Sequence, residues 1–129
     1  MQYACFKDCH SLLSVAIPDS VLYIAASCFE NCLTLETASL PNGLLHLGSY
    51  TFRNCEKLQN VYLPDSLDSI GDFTFENCEM LTNMKLPPNL INLGEGVFAG
   101  CSNLQTLSVS KGLDISGLVV LAKCKVVYY

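Results

Sequence analysis

Eight cysteines and two histidines carry the most reactive side chains of this 129-residue sequence. Thiols can pair as disulfides, hold zinc or attack as nucleophiles, and spacing discriminates among these. Cys9, Cys32, Cys55, Cys78, Cys101 and Cys124 recur every 23 residues. Side chains that stack at one position of successive coils keep parallel Cα–Cβ vectors, with Cβ atoms ~4.8 Å apart. A disulfide needs Cβ atoms ~3.5–4.5 Å apart, so this column is expected to be reduced, buried thiols serving as small core residues. Cys5 and Cys28 share a second column with Thr51, Thr74 and Val97, and a bridge between those two stays open. Structural zinc favours spacings such as C-x₂-C. Cys5-x₃-Cys9 and Cys28-x₃-Cys32 are the nearest approach, and each gives its second thiol to the core column. No metal or cofactor is therefore expected. His10 and His46 fall in different columns and read as surface residues, neither beside a nucleophile or an orienting carboxylate in sequence. Gly94-Glu95-Gly96 starts like a phosphate-binding loop, but position 99 is Ala99. No catalytic constellation is left, and an enzyme is not expected.

The same beat governs the elements that would position these groups. Phe6, Phe29, Phe52, Phe75 and Phe98 are 23 residues apart, and so are Leu12, Leu35, Leu58, Leu81 and Leu104. Pro18, Pro41, Pro64 and Pro87 form another column, as do Gly48, Gly71, Gly94 and Gly117. A period of this length marks a stack of repeats in which no unit buries its own apolar edge. In the copy from Phe52 to Gly71, the alternation Val61-Tyr62-Leu63 suits a short strand with two side chains in and one out. Pro64 ends it, lacking an N–H. Leu67 and Ile70 turn inward on the return path and Gly71 permits a tight corner. The expected fold is a repeat solenoid over 1–129: about five and a half coils of 23 residues, with one parallel concave sheet and a short 3₁₀ or irregular convex side.

Composition excludes several partners. A net charge of −5, with seven basic residues scattered along the chain, gives no patch for phosphate, so nucleic acid and anionic membrane surfaces are disfavoured. No apolar run approaches the ~18 residues of a membrane-spanning helix, and the N-terminal segment lacks the pattern of a secretory signal.

The run Leu63-Pro64-Asp65-Ser66-Leu67-Asp68-Ser69-Ile70-Gly71-Asp72-Phe73-Thr74-Phe75-Glu76-Asn77-Cys78 resembles the BspA-like, or treponemal, class of leucine-rich repeats. The resemblance extends from about Tyr3 to Cys124. It implies a right-handed leucine-rich-repeat coil. It also implies a non-catalytic interaction or adhesion module of a larger surface protein, at the cell surface or secreted. The pattern decays over 110–129, where Ser110, Ser116 and Leu121 replace the proline, the inward isoleucine and the phenylalanine. The apolar Lys125-Val126-Val127-Tyr128-Tyr129 makes a poor polar cap, which suggests a fragment or open ends that self-associate.

Recognition in such a fold is expected on the concave strand face. Its outward positions begin with Leu13, Ser14 and Ala16 and with Glu36, Thr37 and Ser39. The expected ligand face comprises Gln59, Asn60, Tyr62, Thr82, Asn83, Lys85, Gln105 and Thr106, with Tyr62 and Lys85 as a central aromatic–cation pair. The partner would be a protein or a glycan. A structural spacer, a self-associating unit and an intracellular scaffold with reduced thiols are the competing readings. Lys7, Glu30, Arg53 and Glu76 alternate in charge down one column, which should favour correct register.

Overall fold

The computed structural model describes residues 1–120 and 123–129, which wind into stacked coils of short parallel strands and turns. Strands β1 (Ser14–Ala16), β3 (Thr37–Ser39), β5 (Asn60–Val61), β7 (Asn83–Lys85), β9 (Thr106–Val109) and β10 (Lys125–Tyr128) occupy one side. The opposite side holds β2 (Tyr23–Ile24), β4 (His46–Leu47), β6 (Ser69–Ile70) and β8 (Asn92–Leu93). Pairing is in register at the repeat length: Ser14 lies beside Thr37, Tyr23 beside His46 and Asn83 beside Thr106.

Two details depart from the single sheet expected. The return path forms a second, four-stranded parallel sheet, β2-β4-β6-β8. The first side is also divided into β1-β3-β5 and β7-β9-β10, because β5 and β7 do not pair. The arms between the two sides are successive turns, not a 3₁₀ helix. In one coil Glu30 N–H donates to Ser27, Cys32 to Phe29 and Leu35 to Cys32, each across three residues. Left-handed residues interrupt that series at φ 60° for Ser27 and 61° for Asn31, so no helix can propagate.

These positive φ values repeat. Ala4, Ser27, Tyr50, Phe73 and Gly96 form one left-handed column, and Asp8, Asn31, Asn54, Asn77 and Gly100 form another. Asparagine tolerates this conformation better than most residues, and here its amide also links coils. Asn31 Nδ2 donates to Asp8, Asn54 to Asn31 and Asn77 to Asn54, each at 2.8 Å. The corner glycines act differently from expectation, since Gly48, Gly71 and Gly94 do not have positive φ. A Cβ on Gly48 would lie 2.5 Å from Ala26 N, and one on Gly94 would lie 2.5 Å from Asp72 N. These glycines permit close approach of coils rather than an unusual turn. The carbonyls of Pro18, Pro41, Pro64 and Pro87 each receive a turn bond, such as Leu67 N–H to Pro64 at 3.0 Å, which starts the return path as the strand ends.

The core is made of ladders. The rings of Phe6, Phe29, Phe52, Phe75 and Phe98 stack with centroids 5.4–5.6 Å apart and planes within 5–7°. Leu35, Leu58, Leu81 and Leu104 stand buried beside them. The thiols are more than small apolar groups: Cys32, Cys55, Cys78 and Cys101 each donate to the carbonyl of a phenylalanine one coil back, at 3.1–3.2 Å. All eight cysteines are free, so the Cys5–Cys28 bridge is not formed. The charge column also forms: Glu30 meets Lys7 at 3.3 Å and Arg53 at 3.7 Å, and Arg53 meets Glu76 at 2.7 Å.

The register changes in the last coil. Lys125 pairs with Thr106, 19 residues earlier, so this coil is four residues shorter than the others. Cys124 keeps the sequence beat but directly precedes β10 in this shorter coil, where it is only half-buried against the core. Leu121, the substitute for the sixth phenylalanine, lies outside the described residues. The apolar terminus is a strand, β10, and Tyr129 Oη donates to the Leu86 carbonyl at 2.5 Å.

Candidate functional site on the first strand face

A parallel strand exposes alternate side chains, so each coil offers the first face two or three positions. Val15, Val61 and Leu107 turn toward the core, while Ser14, Ala16, Asn60 and Lys85 remain exposed. Because coils repeat in register, the outward positions line up as rows: Ser14–Thr37–Asn60 and Asn83–Thr106–Lys125.

An open groove of about 650 Å³ runs over this face. Its floor is β1, β3 and β5, and it reaches Asn83 across the unpaired step between the two halves of the sheet. Of the residues expected at the site, Gln59, Asn60, Tyr62 and Asn83 come together there. Ser14, Ala16, Thr37 and Ser39 complete the groove; their outward alternation was legible, but the depression that singles them out was not. Thr82, Lys85, Gln105 and Thr106 lie on the same side outside the groove, with Thr106 half-buried. Tyr62 follows the end of β5 and is 65% exposed at the rim.

The aromatic–cation pair is not Tyr62 with Lys85. Lys85 Nζ lies 4.8 Å from the centroid of the Tyr129 ring, which β10 carries back over β7 and β9. No signal in the sequence could have supplied that contact, because it depends on the four-residue shortening of the last coil. Among the described residues, no ring or cation packs on Tyr62.

The second face has its own cluster. His46 Nδ1 meets Asp68 Oδ1 at 2.9 Å, and its ring stacks on Tyr23 with centroids 4.8 Å apart. The carboxylate that sequence proximity did not offer thus arrives from the next coil. The Glu95 amide, which a phosphate loop would present, instead donates to Asp72 Oδ1 at 2.8 Å.

The core thiols are poor nucleophiles. Burial pushes Cys32 up to about 11 and Cys101 up to about 12, and raises Cys55 and Cys78 further, because a thiolate is unfavourable in an apolar core. No group of three or more His, Cys, Asp or Glu side chains among the described residues is arranged to hold a metal ion. No helix of the described residues is long and apolar enough to cross a membrane.

Stacked parallel coils, a phenylalanine–leucine spine and a polar strand face define a leucine-rich-repeat solenoid. The chain belongs to the BspA-type leucine-rich repeat family, whose repeat model matches residues 1–127 in six copies. Known crystal structures share the architecture. The T. pallidum leucine-rich repeat protein matches with a TM-score of 0.81 and 29% identity over 98% of this chain. A leucine-rich cell surface protein from Faecalibacterium prausnitzii matches at 0.70 and 25% over 91%. A leucine-rich repeat protein from Bacteroides ovatus matches at 0.77 and 23% over 99%, an identity that speaks for the fold alone. The chain spans 65%, 35% and 42% of those proteins respectively. No curated protein sequence matches it significantly. Members of this family are interaction or surface repeat modules and are typically non-catalytic.

Proposed function

We propose that this chain is a non-catalytic adhesion or interaction module, displayed at the cell surface or secreted, that binds a macromolecular ligand through the first strand face. The observation that carries this reading is the groove itself. It is built from outward positions of successive coils, the surface that a repeat array offers for recognition. The surface location is supported by the cell surface protein among its structural relatives.

The test is capture from a defined set of host-matrix proteins and cell-surface glycoproteins, comparing the parent with a Gln59→Ala, Asn60→Ala, Tyr62→Ala triple variant. All three side chains are exposed, so the fold should persist. Lys85 is excluded because it packs on Tyr129. Capture by the parent and loss in the variant is the expected outcome. Capture by neither moves the reading to a spacer or self-associating unit. Light scattering would then be expected to reveal concentration-dependent assembly.

A further inference from the structure

We propose that the ligand of the groove is a neutral glycan; this rests on the strand face being the binding surface. The residues lining the groove include no Asp, Glu, Lys or Arg. Glu36 and Lys85, exposed on the same face, lie outside the groove and are opposite in sign, so no concentrated charge draws an ionic partner into it.

What the groove does offer is hydroxyls and carboxamides: Ser14, Thr37, Ser39, Gln59, Asn60 and Asn83. Each is both donor and acceptor, which matches a sugar hydroxyl that must also do both. The side chains that brace the fold lie elsewhere, with asparagine amides joined from coil to coil and Thr51 and Thr74 bonded to glycine carbonyls. The groove's polar groups are therefore available to a ligand. Tyr62 stands at the rim with its ring exposed, an apolar platform with a polar tip of the kind that packs against a pyranose face. The rows repeat at the strand spacing of ~4.8 Å, close to the length of one sugar ring, so successive coils can address successive units of an oligosaccharide.

The same inventory fits a protein partner poorly. Protein interfaces concentrate affinity in Trp, Tyr and Arg anchors, and Ser, Thr and Ala contribute little. Here one tyrosine borders a floor of small residues, and the one arginine of the chain, Arg53, lies outside the groove, held by Glu30 and Glu76. A volume of about 650 Å³ also suits a short oligosaccharide better than a broad protein contact.

The experiment is binding of the parent chain to an array of uncharged hexose and N-acetylhexosamine oligosaccharides, with sulfated and uronic-acid glycans beside them. Matrix glycoproteins are tested in parallel before and after enzymatic deglycosylation. Neutral oligosaccharides should bind, and Tyr62→Ala and Asn60→Ala should each weaken binding about tenfold, equivalent to about 1.4 kcal/mol. Binding should also change little with added salt, since no ion pair is involved. Glycan binding that both variants retain would overturn the assignment of the site. Capture of deglycosylated protein, lost in the variants, would overturn the glycan while leaving the interaction module intact. Binding to none of these would overturn both.

Discussion

Single residues in this chain hold their places for reasons that differ from column to column. Gly71 is required because any Cβ would run into the backbone of Ser49 in the neighbouring coil. Gly117 occupies the same column but, among the described residues, a Cβ there would meet only Glu95, at an ordinary 3.5 Å. Gly71→Ala should therefore cost about 1–3 kcal/mol or more, as overpacking does. Gly117→Ala should be neutral or slightly stabilising, because alanine restricts the unfolded chain. Urea unfolding of the two variants checks this, and equal effects would mean that both glycines serve the turn rather than coil-to-coil contact. Asn54 shows another reason: it tolerates a φ of 60° while accepting one ladder bond and donating the next.

At the scale of elements, the thiol ladder makes the stack sensitive to alkali. Below about pH 8.5, the ordinary thiol range, the cysteines are protonated in both folded and unfolded chains, so their contribution to stability is fully present. Above it the unfolded chain releases protons, while the folded chain keeps them until about 11 at Cys32 and about 12 at Cys101. The folded state then binds more protons than the unfolded one, and stability must fall with rising pH. Urea midpoints should drop progressively between pH 8.5 and 11. Cys78→Ala, though less stable at pH 7, should show a shallower decline because one buried thiol no longer titrates. A decline unchanged in that variant would assign the alkaline loss to other groups.

For the whole molecule, order passes from coil to coil, and the shortened last coil is held by contacts the others lack. Tyr129 donates to Leu86 and lies under Lys85, while β10 pairs along β9. Repeat arrays unfold locally at their weakest interface. Tyr129→Ala should therefore raise amide exchange across Lys125–Tyr128, with β3 and β4 unaffected. Uniform acceleration along the chain would indicate a single cooperative unit in which the terminal coil is not separable.

Much of this was legible in the sequence, because a 23-residue beat of phenylalanine, cysteine, leucine and proline buries its apolar side chains by stacking in register. The solenoid, the reduced thiol column, the alternating charges of Lys7, Glu30, Arg53 and Glu76, and the outward strand positions all follow from that periodicity. Tertiary structure decided what periodicity does not encode. Two-residue strands such as Ser69–Ile70 are too short to give an alternation that sequence could reveal, so the second sheet was hidden. The left-handed column of Ala4, Ser27, Tyr50, Phe73 and Gly96 shares no residue type, so composition could not mark it. The place of Cys124, the partner of Lys85 and the extent of the groove each depend on distances between coils. Those distances are set by packing: sequence fixes which residues share a column, and only the folded stack fixes how closely the columns approach.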